Sequence, residues 1–349
     1  MGYYSKKVPS LVMKPSINTT SLTIGYGRGK TQKEILSNLE LNLYPGELTA
    51  LIGANGTGKS TLLKTLSGNL HKLAGSIVFG DRPIESFSKL ELAQYRSIVT
   101  TERHEIDHLT VLDLVSMGRH PYTSWMGKLS EIDLDAVERS IRVTGLTQLQ
   151  DKEISKLSDG ERQKAFVARA LAQSTKVIIL DEPTAFLDLP NKIQLMSLLK
   201  KIANEEGKSI LVSTHDLDIA LSLADKLWLM GRTGIRPGVT EDLILQGAMQ
   251  SIFNEKNFYF DGSSGKFSFA FEKSRYANVA GEETAKFWLS RALERKGYYV
   301  NVDVQSKIHI ECKKESDRYK WVLNIGGVDG QHDTIQSLLS ALDSKELKN

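Results

Sequence analysis

The strongest constraint on the fold of this chain is a glycine-rich run that matches the phosphate-binding loop pattern G-x-x-x-x-G-K-[ST] at every fixed position. Its residues are Gly53, Ala54, Asn55, Gly56, Thr57, Gly58, Lys59, Ser60 and Thr61. The stretch 48–52 before it is typical of a strand, and the stretch 60–66 after it is typical of a helix. A strand, a glycine turn and a helix in this order surround an anion with backbone N–H groups and the positive end of the helix. The run therefore predicts a phosphate-binding site.

Two side chains of this run would add chemistry of their own. Lys59 supplies a mobile positive charge for the outer phosphates, and Ser60 offers a hydroxyl ligand for Mg²⁺. The alternative is a glycine-rich turn that contains Lys and Ser by chance. The strand and helix in the right places make that alternative much less favoured.

The length and composition limit the classes of protein to which the chain can belong. Its 349 residues exceed one ordinary core, so two domains are expected. The net charge of +3 gives no indication of nucleic-acid binding, and the single cysteine, Cys312, fits a reducing compartment. The sequence has no apolar run near the roughly eighteen residues of a membrane span and no secretory signal. We therefore expect a cytoplasmic protein that reaches a membrane only through a partner.

The pattern of apolar residues divides the chain into parts. Residues 1–20 are expected to form a loosely ordered lead-in. Residues 21–262 predict an α/β domain with a largely parallel sheet and a helical insert over about 86–170. The segment 261–265, Asp-Gly-Ser-Ser-Gly, is typical of a linker. Residues 270–349 predict a small α+β module in which we find no motif that carries chemistry.

Two adjacent carboxylates follow the apolar run 177–180. Asp181 and Glu182 thus stand at the strand end where open α/β sheets bind nucleotides. Asp181 is the candidate Mg²⁺ ligand, and Glu182 is the candidate base or water-orienting group for attack on a γ-phosphate. A core strand with a polar end is the alternative, and only the phosphate loop makes it less favoured.

Three further features become candidate nucleotide contacts when they are considered together with the phosphate loop. The run 157–161, Leu-Ser-Asp-Gly-Glu, begins an amphipathic helix, so Ser158 and Gly160 could address a phosphate, although an ordinary N-cap is the better explanation for the run alone. His215 follows a predicted strand and could contact the γ-phosphate or the attacking water, although structural histidines are commoner. Tyr26 could stack on an adenine ring, although it is one of eleven tyrosines.

Together these pieces resemble the ATP-binding cassette (ABC) ATPases, the motor subunits of membrane transporters, over residues 21 to about 262. The resemblance implies an α/β P-loop NTPase fold of the ABC type. It also implies roles for the matching residues: Tyr26 as the adenine-stacking aromatic, 157–161 as the family signature, Asp181 as the metal-binding acid, Glu182 as the catalytic acid and His215 as the switch histidine.

The family resemblance further implies a homodimer with ATP and Mg²⁺ as cofactors. In this family two cassettes pack head to tail, and each ATP lies between the phosphate loop of one and the signature of the other. Ser158 and Gly160 would then contact the nucleotide that Lys59 of the other copy holds. Lys59, Glu182 and His215 would form the catalytic set.

The sequence departs from the family pattern at two positions. The family places a glutamine that touches Mg²⁺ before the helical insert, but the segment 97–103 contains none. Thr101 or Glu102 occupies the matching place, and Glu102 is the candidate metal ligand there. Asp159 stands where the signature commonly has glycine. The module 270–349 has no counterpart in a minimal cassette.

The segment 109–122 resembles the importer branch that serves iron-siderophore complexes, haem and cobalamin, through its run T-V-x-x-L-V-x-x-G-R-x-P-Y. This implies two polytopic membrane permease subunits, an external solute-binding protein, a position at the inner face of the cell membrane and no nucleic-acid partner. A second hypothesis is an ABC-type ATPase of translation or DNA repair. Such proteins usually carry two cassettes or a long coiled-coil insertion, and this sequence has neither.

Overall fold

The computed structural model describes residues 13–27, 29–100, 108–123, 127–254, 258–301, 306–315 and 318–346. These residues divide into two compact units. The cassette unit comprises the described residues up to 254 together with 260–266, and the C-terminal unit comprises 258–259 and the described residues from 267 onward.

The strands of the cassette unit are, in chain order, β1 (Ile17–Tyr26), β2 (Lys33–Leu39), β3 (Asn42–Leu43), β4 (Leu48–Gly53), β5 (Ala74–Phe79), β6 (Arg82–Pro83), β7 (Arg96–Val99), β8 (Val177–Asp181), β9 (Ser209–Ser213), β10 (Lys226–Met230) and β11 (Ile235–Gly238). Its helices are α1 (Lys59–Leu66), α2 (Lys89–Tyr95), α3 (Val111–Ser116), α4 (Glu131–Val143), α5 (Asp159–Ala172), α6 (Leu189–Glu206), α7 (Leu217–Leu223), α8 (Thr240–Leu245) and α9 (Ala248–Phe253).

A six-stranded sheet in the order β11-β10-β4-β9-β8-β7 positions the candidate site. The five strands from β10 to β7 are parallel, and β11 pairs antiparallel with β10. Every residue of β4 and β9 is buried, as expected for central strands covered on both faces. The register pairs Ser213 with Leu51 on one side and with Asp181 on the other. The carboxyl ends of β4, β9 and β8 therefore meet at one edge of the sheet.

A second, antiparallel sheet packs against the first through a shared apolar core. Its order is β2-β1-β5-β6, and β3 also pairs with β1. Leu22 and Phe79 from this sheet share a cluster of buried side chains with Leu51 and Trp228 from the first. No sequence pattern predicted this sheet, and its strand β1 begins at Ile17, inside the predicted lead-in.

Helices α3, α4 and α5 form a helical segment with a core of its own, which includes Val111, Ile141 and Ala168. Each of these helices begins at a capping box. The side chain of the N-cap residue accepts the backbone N–H of the third helical residue, and the side chain of that third residue accepts the backbone N–H of the N-cap residue. The predicted helical insert over 86–170 needs a correction at its start. This range contains β7, which pairs with β8 in the six-stranded sheet.

A buried ion pair fixes the turn that follows α3. Arg119 Nε donates to Asp133 Oδ1 over 2.8 Å, and both side chains are about one-twentieth exposed, at 5% and 6%. The same guanidinium donates through Nη1 to the carbonyl of Ala172, 2.7 Å away, and to Ser174 Oγ, 2.9 Å away. Arg119 therefore ties the first turn of α4 to the end of α5.

The C-terminal unit has an α+β architecture. Strands β12 (Phe258–Asp261) and β13 (Lys266–Phe269) form a hairpin whose residues are divided between the two units. The other elements of the C-terminal unit are β14 (Arg275–Gly281), α10 (Glu283–Arg295), β15 (Tyr298–Val300), β16 (Ile308–Glu315), β17 (Arg318–Ile325), β18 (Val328–His332) and α11 (Ile335–Glu346). The segment 261–265 connects β12 to β13, so it is a hairpin turn and not a linker.

The five-stranded sheet of this unit has the order β15-β14-β16-β17-β18. Alternate side chains of its central strands, such as Val279, Ile310 and Leu323, are buried on one face, where α10 and α11 pack. Cys312 belongs to the same core, and burial raises the pKa of its thiol. This placement agrees with a structural rather than a reactive cysteine.

Candidate active site

The glycine-rich loop between β4 and α1 needs glycine at several positions for reasons of geometry. Gly56 and Gly58 have φ angles of 77° and 109°, which L-residues with a side chain rarely adopt. A Cβ on Gly58 would lie 2.6 Å from Ile35 Cγ2, and a Cβ on Gly53 would lie 2.5 Å from the carbonyl oxygen of Met230. The backbone can therefore curl at the start of α1 only with these residues, and a glycine turn before a helix is the usual setting for backbone N–H groups that bind an anion.

Lys59 lies folded along this loop. It is only 6% exposed, and its Nζ donates to the carbonyl oxygens of Gly53 at 2.9 Å and Ala54 at 3.1 Å. Desolvation lowers the pKa of Lys59, while the carboxylates of Glu182 and Asp181 act in the opposite direction. The ammonium group thus lies between the loop and the two acids, where it can contact a phosphate group bound at the loop.

The end of β8 is fixed by a side chain from β9. Ser213 Oγ donates to Asp181 Oδ1 over 2.7 Å and accepts the backbone N–H of Glu182 over 2.8 Å. Ser213 itself is fully buried. One hydroxyl therefore sets the positions of both acids. No sequence motif marks Ser213 as a site residue.

Glu182 and His215 are brought together from the ends of two neighbouring strands. His215 Nε2 lies 2.7 Å from Glu182 Oε1. The side chain of His215 is 42% exposed and that of Glu182 is 35% exposed, so solvent water can reach both. Glu182 has a φ angle of 48°, a strained conformation for a residue with a side chain. Two hydrogen bonds maintain this conformation: the backbone N–H of Glu182 donates to Ser213 Oγ, and the N–H of Ala185 donates to the carbonyl of Glu182 in the turn that follows.

That turn is anchored by the carboxylate of Asp216, which no sequence motif marks. Thr184 Oγ1 donates to Asp216 Oδ2 over 2.7 Å, and Lys192 Nζ donates to Asp216 Oδ1 over 2.7 Å. These contacts join the loop after Glu182 to the loop after His215. The two loops therefore keep a fixed relative position.

Ser158 and Gly160, from the predicted signature, have structural roles within this chain. Ser158 is the N-cap of α5, and its backbone N–H donates to Glu161 over 2.9 Å, which lowers the pKa of that carboxyl. A Cβ on Gly160 would lie 2.6 Å from Asn191 Oδ1 of α6. Ser158 and Asp159 are exposed, so the start of α5 is also open to a second molecule.

Tyr26 lies beside the phosphate loop. Its hydroxyl is 2.8 Å from Thr61 Oγ1, and its side chain is 46% exposed. A ring in this position can take a planar group against its open face. Within the loop, Thr57 Oγ1 donates to the carbonyl of Ala54 over 2.8 Å, while Asn55 is exposed.

The residues present suit a hard divalent cation. Ser60 presents an exposed hydroxyl at the start of α1, and Asp181 presents a carboxylate across from Lys59. One hydroxyl and one carboxylate, completed by phosphate oxygens and water, are a typical donor set for Mg²⁺. Over the described ranges, no group of three or more His, Cys, Asp or Glu side chains could hold a metal ion. Thr101 and Glu102 lie outside the described residues.

Two family models match this sequence. The ABC transporter model matches residues 36–185, a range that contains the phosphate loop, the signature and both acids. The model of the iron ABC transporter C-terminal domain matches residues 274–343, which is most of the C-terminal unit. The module without a counterpart in a minimal cassette is therefore itself a member of a known domain family.

Individual proteins agree with these matches. An uncharacterized ABC transporter ATP-binding protein of Methanocaldococcus jannaschii is 39% identical over 252 residues, which are 72% of this chain and 86% of the relative. The iron(3+)-hydroxamate import ATP-binding protein FhuC of Bacillus subtilis is 33% identical over 239 residues, which are 68% of this chain and 87% of the relative. Among solved structures, a dimeric bacterial ABC transporter cassette superimposes with a TM-score of 0.55 at 25% identity, and covers 64% of this chain and 98% of that one.

These findings confirm the predicted ABC type of P-loop fold and give no support to a role in translation or DNA repair. Among the helices that the structure describes, none combines the length and the apolar character that crossing a bilayer requires. The phosphate loop, the paired acids and the relatives that match most of the chain lead to one assignment: the protein belongs to the ATP-binding subunits of ABC transporters.

Proposed function

We propose that this chain hydrolyses ATP to drive the import of an iron chelate. The observation that carries the proposal is the grouping of Lys59, Asp181, Ser213, Glu182 and His215 at one edge of the sheet. The cargo class is supported by the iron ABC transporter C-terminal domain at 274–343 and by a relative named for iron(3+)-hydroxamate import. Haem and cobalamin are the other cargoes considered, and the uptake test below separates them.

In this proposal the loop holds the phosphates of ATP, and Lys59 exchanges its two carbonyl partners for phosphate oxygens. The added negative charge favours the charged form of Lys59, against the desolvation that lowers its pKa. Ser60 and Asp181 would hold Mg²⁺, which when bound supplies positive charge to the β- and γ-phosphate oxygens.

Glu182 is positioned to take a proton from the attacking water. Its backbone N–H is fixed by Ser213, and its carboxylate is held at Oε1 by His215. In this proposal the second carboxylate oxygen receives the water, which can enter because the pair is partly exposed. His215 would then act by orienting Glu182 and by contacting the γ-phosphate.

A second copy of the chain would complete each site. Ser158 is exposed at the start of α5, and Gly160, which is buried, lies in the first turn behind it. Backbone and hydroxyl donors at such a helix start suit an anion. Because Ser158 already caps α5 in its own chain, its geometry is preset before any partner arrives. We assign these residues to the nucleotide of the partner, and the dimeric form of a solved cassette supports that arrangement.

The segment 109–122 would face the membrane partners. Its backbone is held by Arg119, whose guanidinium lies 4.0 Å from the centroid of the Tyr122 ring, and by Gln94, which donates to the carbonyl of Pro121 over 2.9 Å. Leu112 and Met117 remain 38% and 50% exposed. This surface suits two polytopic permease subunits at the inner face of a membrane, in an importer that also has an external solute-binding protein.

Two experiments test the proposal. The purified chain is assayed for Mg²⁺-dependent ATP hydrolysis with and without candidate permease subunits, with Glu182→Gln as the inactive control. Stimulation by nucleic acid or ribosomes alone would support the rejected alternative. A deletion strain is then given ferric hydroxamate, ferric catecholate, haem and cobalamin side by side. Loss of uptake of haem or cobalamin, with normal uptake of both iron chelates, would refute the cargo class while leaving the motor intact.

A further inference from the structure

A cleft of about 230 Å³ lies within the C-terminal unit, and none of its lining residues is among those that would handle ATP. One wall is formed by the aromatic side chains of Tyr259, Phe269 and Phe271, from β12, β13 and the segment after β13. The other wall is formed by Arg291 and Arg295 from the last turns of α10. Rings and guanidinium groups therefore face the same space.

The aromatic wall is unusually open. Phe269, Phe271 and Tyr259 are 67%, 38% and 44% exposed, and the Phe269 and Phe271 rings lie 5.9 Å apart between centroids. Single exposed rings are common on protein surfaces, but three around one concavity form a site where a planar group would remove apolar surface from water. The rings thus favour an aromatic ligand over an aliphatic one.

The basic wall carries charge that no carboxylate of the described ranges neutralises. Arg291 and Arg295 are four residues apart and so share one face of α10. Lys273, also at the cleft, is paired with Glu294 over 2.8 Å. Within the described part of the chain neither arginine has a carboxylate partner, and the Arg291 guanidinium lies 5.2 Å from the centroid of the Phe287 ring. Two guanidinium groups are left to recognise an anion.

We propose that this cleft binds a small planar aromatic anion, with its ring against the phenylalanines and its charged group at Arg291 and Arg295. Inorganic phosphate would use only the basic wall, and a neutral ring would use only the aromatic wall. The volume of about 230 Å³ is below that of most drug-sized ligand pockets, so it fits one substituted ring. The chemistry is shared by aryl carboxylates and by nucleoside monophosphates. The proposal goes beyond the transport function and does not depend on it.

The test is isothermal titration calorimetry on the full-length protein, with a nonhydrolysable ATP analogue present to fill the cassette site. Salicylate is the first probe. Benzyl alcohol keeps the ring without the charge, and cyclohexanecarboxylate keeps the charge without the planar ring. We expect salicylate to bind and each of the other two to bind at least about tenfold more weakly. AMP is titrated in parallel, and tighter binding of AMP than of salicylate would identify a nucleotide as the source of the chemistry.

Variants locate the site. Arg291→Gln with Arg295→Gln, and separately Phe269→Ala, should each weaken salicylate or AMP binding at least about tenfold. Arg318→Gln removes the same charge from β17 of the same unit, outside the cleft, and should leave binding unchanged. Because Phe269 is largely exposed, its variant should melt within a few degrees of the wild type. The proposal is overturned if neither salicylate nor AMP binds, or if salicylate, benzyl alcohol and cyclohexanecarboxylate bind equally. It is also overturned if the cleft variants bind the probes as tightly as Arg318→Gln does.

Discussion

The hydroxyl of Ser213 should control turnover although it touches no substrate. It donates to Asp181 over 2.7 Å and accepts the N–H of Glu182 over 2.8 Å, so Ser213→Ala removes both constraints at once. A hydrogen bond to a charged group contributes about 1.5–3 kcal/mol. If this loss is expressed in the transition state, kcat should fall roughly tenfold to a hundredfold. ATP affinity should change much less, because the phosphate loop and Lys59 are untouched.

Ser209→Ala is the matched control for this prediction. Ser209 begins the same strand, is equally buried, and donates to Ser16 Oγ over 2.7 Å. Four residues along a strand place it roughly 13 Å from Ser213. In denaturant unfolding, Ser209→Ala should lose about 1 kcal/mol of stability and Ser213→Ala about 1.5–3 kcal/mol, but only Ser213→Ala should lose ATPase activity. Equal activities of the two folded variants would refute the positioning role of Ser213.

Three other predictions concern single charges. Glu182→Gln should bind ATP but hydrolyse it at least about a hundredfold more slowly in a steady-state phosphate-release assay, because the proton acceptor is gone; near-normal turnover would exclude Glu182 as the base. Lys59→Ala should weaken ATP binding about tenfold or more by calorimetry, and unchanged affinity would contradict the loop assignment. Asp133→Asn should destabilise the chain by about 3 kcal/mol, since it leaves Arg119 buried without its carboxylate, whereas Asp135→Asn on the exposed face of α4 should have little effect.

The Asp133 prediction also has a pH dependence. Hydrogen bonds from Ser130, together with Arg119, lower the pKa of Asp133 in the folded state. The stability from this carboxylate is therefore fully present above its unfolded pKa of about 3.9, and it is lost as the pH falls through the lower folded value. Urea titrations of the wild type at acidic pH should show this decrease, and Asp133→Asn should show less of it.

The parts of the site that the sequence predicted are those encoded by neighbouring residues. The loop 53–61 and the pair Asp181 and Glu182 each lie within one short segment, so their spacing alone indicates their chemistry. Ser213 was missed because its role depends on the register between β8 and β9, which brings residue 213 beside residue 181. The Thr184–Asp216–Lys192 contacts were missed for the same reason, since they join three separate segments.

The errors in the fold have equally specific causes. β7 has only four residues, Arg-Ser-Ile-Val, which is too few for its period to be distinguished from the helices on either side. β1 has register shifts in its pairing with β2 and β5, so its buried residues do not alternate regularly. The run 261–265 has the glycine and serine content of a linker, but the same residues suit the turn of a hairpin.

The signature residue Ser158 allows its two interpretations, N-cap and contact with the partner's nucleotide, to be separated. Aspartate and asparagine cap helices about as well as serine, so Ser158→Asp and Ser158→Asn should both keep stability within about 0.5 kcal/mol. Only the aspartate adds a negative charge, and beside a triphosphate this charge should weaken ATP-dependent dimerisation roughly tenfold or more. Gly160 cannot serve this purpose, because any side chain there also collides with Asn191. Sedimentation velocity in the Glu182→Gln background measures the dimer. If Ser158→Asp dimerises as tightly as Ser158→Asn, the residue is a helix cap and no phosphate lies near it.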